Sequence, residues 1–293
     1  MARKSRIRST LVALSMVTLF LGGFGWLTYH RIRQAKLSEP LIAAVKARDA
    51  ARVRELLDRG ADPNARARLD ATPGGWARLL RTLLGGASNT SHDPGDTPAL
   101  MLAAAKEDRE CVSLLLAAGA DPNATDTNGN TAVETLLCNG STSDAKYATL
   151  RLLLDGGANV NARNRSGYTA LIFAVAYSEK LDCVRLLLTR GVKVDARDDQ
   201  GWTALQYAIN ARRADLVRPL LESGADVNTT AKDGVTCLRR SILAGDAGIV
   251  KLLLDRGASV TSRDKHGRTA LFYIGAIGNQ KIRALLKQAG AKE

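Results

Sequence analysis

Aromatic residues make up only 4% of this 293-residue chain, and histidine occurs three times, as His30, His92 and His266. None of the three has a neighbour suited to a catalytic triad or a metal site. The four cysteines (Cys111, Cys138, Cys183, Cys237) lie far apart, with no CxxC pair and no metal spacing. Each falls in a predicted helix and reads as a small buried hydrophobe. No phosphate-cradling loop is present, because Gly22, Gly23 and Gly25 lie inside an apolar run. The paired carboxylates Asp198 and Asp199 fall on a predicted outward turn, where solvation accounts for them. Nothing positive points to an enzyme, and no cofactor, metal or small-molecule substrate is expected.

Ala, Leu and Gly dominate instead, a mixture suited to thin, closely packed helices. Apolar residues at 45% with 24% charged fit a folded chain. The net charge is +13. Residues 1–40 hold seven cations and only Glu39 as an anion, so about half of the excess flanks the N-terminal apolar segment. That half reads as membrane topology rather than a nucleic-acid footprint. The other half is spread without a basic run.

Residues 10–29, TLVALSMVTLFLGGFGWLTY, carry no charge. As a helix they would span about 30 Å, one hydrocarbon core. Trp26 and Tyr29 stand at the far end, where amphipathic rings favour the interface. The segment reads as a single membrane anchor between a basic stretch (1–9) and a basic linker (30–40). A cleaved signal peptide is the alternative, although the run is long and lacks an A-x-A site. Four cations precede the span and three follow it, which favours a cytoplasmic N-terminus and a C-terminal domain on the far side. In a bacterium, that placement is the inner membrane with a periplasmic domain.

The rest of the chain repeats. Gly-x-Thr recurs, ending at Thr97, Thr131, Thr169, Thr203, Thr236 and Thr269, with spacings of 34, 38, 34, 33 and 33. A second marker follows in phase: LLLAAGADPNA, LLLDGGANVNA, LLLTRGVKVDA, LLESGADVNT and LLLDRGASVTS, with LLDRGADPNA before them. Glycine supplies a turn at positive φ, and the threonine hydroxyl caps the helix that follows. A second helix ends in leucines, and the glycine of the GA pair stops it. No unit buries its apolar face alone, so the units must stack.

This pattern resembles the ankyrin repeat, whose unit is about 33 residues with a T-P-L-H-x-A signature. The resemblance covers 41–67 and 94–291. It implies an all-α solenoid of helix-turn-helix units with outward, hairpin-like turns, preceded by the one membrane helix. The repeat domain is taken as 41–293: a divergent first repeat (41–67), an insertion (68–93) and six repeats (94–293). The family's histidine is missing from every copy; Glu134, Ile172, Gln206, Arg239 and Phe272 stand in its place.

Several departures mark this chain. The insertion predicts a short helix with Trp76, Leu79, Leu80, Leu83 and Leu84 on one face and Arg78 and Arg81 opposite, either a flap on the first repeats or a partner-binding or membrane-surface helix. The third unit is longer around 137–149, which reads as an exposed loop. Pro219 falls inside a second helix and predicts a weak point there. Phe173, Tyr207, Arg240 and Tyr273 recur in phase, which would place Arg240 between two tyrosine rings.

In this family, partners contact the turn tips and the face lined by the first helices. Carried over by position, the candidates are Arg163, Arg165, Arg197, Lys232, Lys265, His266 and Arg268 at the turns, with Trp76, Arg78 and Arg81 in the insertion. Tyr168 and Trp202, between Gly and Thr, are the aromatic anchors of choice, or else cover the turns beneath them. The expected function is a membrane-tethered scaffold for a protein partner. An accessory factor for a periplasmic or membrane-bound enzyme is the second reading. Nucleic-acid binding is the third, against which the spread of charge argues.

Overall fold

The computed structural model describes residues 34, 36–67, 96–139, 141–177, 180–263 and 266–291. The proposed membrane span, the insertion with Trp76, Arg78 and Arg81, and Lys265 lie outside the described residues. Among those described, no helix is long and apolar enough to cross a membrane.

The described chain folds as seven helix pairs. The first helices are α1 (36–47), α3 (Ala99–Ala105), α5 (Ala132–Cys138), α7 (Ala170–Ala176), α9 (Ala204–Asn210), α11 (Cys237–Ala244) and α13 (Ala270–Ile277). The second helices are α2 (Ala50–Asp58), α4 (Arg109–Ala117), α6 (Asp144–Asp155), α8 (Leu181–Leu188), α10 (Ala214–Glu222), α12 (Ala247–Leu254) and α14 (Gln280–Gln288). From α3 onward, first helices pack on first helices, and from α2 onward second on second, each with its sequence neighbour. One continuous core results. Leu136, Leu150, Leu171, Leu187, Leu205 and Leu220 are among its fully or almost fully buried members.

Local chemistry explains the repeat. Thr131, Thr169, Thr203 and Thr236 each accept a backbone N–H at a first-helix N-terminus, satisfying a donor the helix leaves unpaired. Thr269 makes no such bond. The preceding glycines hold positive φ, and Gly167 shows why at close range. A Cβ there would come within 2.7 Å of the Arg163 guanidinium and 2.9 Å of the Asp199 backbone nitrogen.

The insertion leaves and rejoins the solenoid at a minimal antiparallel ladder, β1 (Arg66–Ala67) on β2 (Thr97–Pro98).

Several expectations need correction. Cys111, Cys183 and Cys237 are buried, but Cys138, the last residue of α5, is exposed. The lengthened break in the third unit is not a free loop. Asn139 donates to Glu107 (3.0 Å) and to the Ala105 carbonyl (3.2 Å), and the Ser143 hydroxyl donates to Glu107. Lys146, fully buried, donates to the Asn139 carbonyl at 3.2 Å. Glu107 and Ala105 lie in the preceding repeat, which sequence spacing does not reveal. The correction for Arg240 belongs to the surface described next.

Candidate protein-interaction surface

The outward turns are joined to one another by backbone. Arg165 N–H donates to the Asn128 carbonyl (2.9 Å), Asp199 to Ser166 (3.0 Å) and Lys232 to Gln200 (3.0 Å). A carboxylate or carboxamide folds each turn. Asp126 Oδ1 accepts the N–H of Asn128 and Asn130, Asn164 Oδ1 that of Ser166 and Tyr168, and Asp198 Oδ1 that of Gln200 and Trp202, all at 2.8–3.0 Å. Asp198 is thereby buried, where solvation was expected.

A second set of rungs runs between the repeats. The side-chain oxygens of Asn64, Asn123, Asn161, Asp195 and Asn228 accept the backbone N–H of Asp121, Asn159, Lys193, Asp226 and Ser259 in the following repeat, at 2.7–3.0 Å. Asn123, Asn161 and Asn228 also donate to the carbonyls of Gly157, Gly191 and Gly257. Asp195 carries no amide and makes no such donation.

The turn cations divide by what they hold. Arg163 donates to the Arg197 carbonyl (2.7 Å), and Arg197 to the Thr230 carbonyl (2.6 Å), so both clamp the next repeat while staying exposed. Arg165, Lys232 and His266 are exposed at their turns. Arg268 is half-buried and sits over the rings of Phe272 (5.4 Å) and Tyr273 (5.1 Å) in the last repeat, away from the others.

Tyr168 and Trp202 meet on one ring. The Tyr207 centroid is 6.0 Å from Tyr168 and 5.0 Å from Trp202, both tilted. The row continues from Tyr168 to Phe173 (5.4 Å) and from Phe173 to Tyr177 (5.6 Å), whose ring is about half exposed. At its other end the Arg240 guanidinium lies 3.9 Å over the Trp202 ring and donates to Asp233 at 2.9 Å. Arg240 therefore stacks on Trp202 and not between Tyr207 and Tyr273. The ion pair with Asp233 draws it toward the turn, while its neighbour Arg239 takes the place near Tyr273, at 5.3 Å.

The Tyr207 hydroxyl lies 2.6 Å from Asp198 Oδ2 and 2.8 Å from the Tyr168 hydroxyl. Burial first, then the bonds to Asp198 and Tyr168, push its phenol far above the ordinary tyrosine range. Sequence reasoning missed Tyr177 and the Asp198–Tyr207 link. Tyr177 sits just past the C-terminus of α7, outside the periodic positions, so only the one-turn spacing from Phe173 hinted at it.

At the position of the family's missing histidine, Gln206 does comparable work. Its oxygen accepts the Thr203 N–H (3.2 Å), and its amide donates to the Thr229 carbonyl across the join (3.3 Å). Glu134 caps Thr131 through Oε2 at 2.8 Å, but its Oε1 is buried without a partner. Burial is the largest influence on that carboxyl and raises its pKa despite the Thr131 bonds.

Family models for ankyrin repeats match nearly the whole repeat region. One described as three copies covers 69–164 and 143–231, one described as many copies covers 220–273, and a single-repeat model covers 39–68. No curated protein matches the sequence. Among solved structures, the ankyrin repeat domain of Bcl-3, titled a unique member of the IkappaB protein family, is 29% identical. That match covers 80% of this chain and 92% of that one, with a TM-score of 0.62. The human ASB11 ankyrin repeat domain is 22% identical, covering 87% and 99% of the two chains at a TM-score of 0.62, and shows the fold alone. Repeats in phase, threonine-capped first helices and family matches running from 39 to 273 together place this chain in the ankyrin-repeat family.

Proposed function

We propose that this chain is a non-catalytic scaffold, tethered to a membrane through residues 10–29, that holds a protein partner on the aromatic row and its neighbouring turn tips. Ankyrin repeats generally mediate protein–protein interaction, which supports the coarse reading. The observation that carries the finer one is the row Tyr177–Phe173–Tyr168–Tyr207–Trp202, closed by Arg240. Rigid aromatic and arginine anchors, fixed before the partner arrives, lose little freedom on binding. Arg165 and Lys232 flank the row with exposed cations.

The test is affinity capture of the full-length chain with crosslinking, comparing wild type with Tyr177→Ala and Trp202→Ala. Tyr177 is the cleaner site, because it caps no turn. A partner crosslinked to wild type and lost from Tyr177→Ala supports the proposal; equal capture by both variants overturns it. A single stoichiometric enzyme client would favour the accessory-factor reading. A compartment-sensitive reporter fused after Glu293 tests the extracytoplasmic placement, and a cytoplasmic signal would discard it.

A further inference from the structure

The last repeat differs from those before it at one position. Glu134, Ile172, Gln206 and Arg239 occupy corresponding places in successive first helices and are all buried between repeats. Their counterpart in α13 is Phe272, which is 58% exposed, because no described helix stacks beyond it. A solenoid ordinarily ends in a polar outer face. The last described repeat carries an aromatic ring at that position.

The ring lines an open depression of about 620 Å³ together with Leu271, Arg263, Arg268 and Arg283; Arg268 lies over the ring at 5.4 Å and Arg263 donates to the Gly267 carbonyl at 2.7 Å. No carboxylate lines it among the described residues. Charge gathers at the same end. Residues 261–293 hold seven Lys and Arg against Asp264 and Glu293, whereas 41–260 hold 28 cations and 26 anions. The final repeat thus carries +5, and the much longer stretch before it only +2. Although no contiguous basic run exists, most of the repeat region's excess charge falls in this last stretch.

We propose that this end of the solenoid binds an acidic peptide segment, with carboxylates on Arg263, Arg268 and Arg283 and an apolar side chain against Leu271 and Phe272. Guanidinium forks match carboxylates, and the exposed apolar lining of Leu271 and Phe272 matches an apolar side chain beside them. A nucleic-acid backbone or lipid headgroups would use the cations but leave that apolar lining uncovered. The site is separate from the aromatic row and does not depend on it.

The test uses the full-length chain in detergent and a short fluorescein-labelled peptide alternating glutamate with leucine, read by anisotropy. Binding should weaken roughly tenfold or more in Arg283→Gln and in Phe272→Ser, the range for losing an arginine or aromatic anchor. Tyr177→Ala should bind the peptide as wild type does, which separates this surface from the aromatic row. Arg283 and Phe272 are partly or largely exposed, and an unchanged melting temperature checks that each variant folds. A peptide with glutamine for glutamate, or serine for leucine, should bind correspondingly weakly. Undiminished binding by either variant overturns the proposal. So does tighter, Arg283-dependent binding of phosphatidylserine vesicles or a single-stranded oligonucleotide in place of the peptide. Concentration-dependent dimerisation abolished by Phe272→Ser would also overturn it, since a second copy would then cover the site.

Discussion

The Tyr207 phenol bridges two repeats: it lies 2.6 Å from Oδ2 of Asp198, whose Oδ1 folds the turn of its own repeat, and 2.8 Å from the Tyr168 hydroxyl in the repeat before. A phenol has one proton, and the carboxylate takes it, so Tyr168 donates in the second contact. One hydroxyl therefore ties turn, helix and neighbour together.

Removing that hydroxyl should expose its worth. Tyr207→Phe keeps the ring but leaves buried Asp198 short of a donor, at a cost of about 1–3 kcal/mol. Urea melts at neutral pH would measure it. The raised phenol also sets a direction with pH. Its contribution is fully present below the ordinary tyrosine value of about 10 and is lost as pH rises toward the higher folded value. The gap between wild type and Tyr207→Phe should therefore narrow only in strong alkali.

Glu134 presents the opposite opportunity. Thr229, whose carbonyl accepts from Gln206, stands seven residues before Thr236; the same step back from Thr169 reaches Ala162. Glu134→Gln should supply the missing donor to that carbonyl and stabilise the array by about 1 kcal/mol at neutral pH. The raised carboxyl of the wild type contributes fully only below the ordinary glutamate value of about 4.3 and loses that contribution as pH rises. The advantage of glutamine should accordingly grow from acid to neutral pH. A constant difference across that range would show that Glu134 does not titrate as described.

Asp195 is the one carboxylate among five rungs between repeats, and the Gly224 carbonyl occupies the place that Gly157, Gly191 and Gly257 take elsewhere. Asp195→Asn should add that bond, worth about 0.5–1 kcal/mol, and raise the melting temperature by a few degrees. A fall would mean that the carboxylate has a role the rung does not explain.

Pro219 lies within α10 and offers no N–H to the helix. Pro219→Ala restores a donor, and calorimetry should record a higher melting temperature. An unchanged or lower value would show that the ring's restriction of the unfolded chain offsets the missing bond.

The fold was largely legible because each local signal repeated in phase: threonine caps, positive-φ glycines and paired leucines recur at the positions the spacing demands. Side-chain partners were much less so. Sequence register puts Tyr207 and Tyr273 one repeat away on either side of Arg240, yet stacked helices stand about 8–10 Å apart, while Trp202 projects from a turn within reach. Arg163 and Arg197 looked like free tip charges because their acceptors are backbone carbonyls, which carry no letter in a sequence. Cys138 escaped burial because its position, seven residues after the capping threonine, faces outward, as it does for Asn210 and Leu243.

The rungs between repeats also give the array a direction. In nearly every one, a side chain from the earlier repeat meets a backbone group of the later: Asn64 with Asp121, Asn123 with Asn159 and Gly157, Arg163 with Arg197, Gln206 with Thr229. Peeling away the last repeat frees flexible side chains, which water readily satisfies. Peeling away the first leaves main-chain N–H groups of the following turn without their side-chain acceptors. Each repeat is in this sense the template on which the next turn is set.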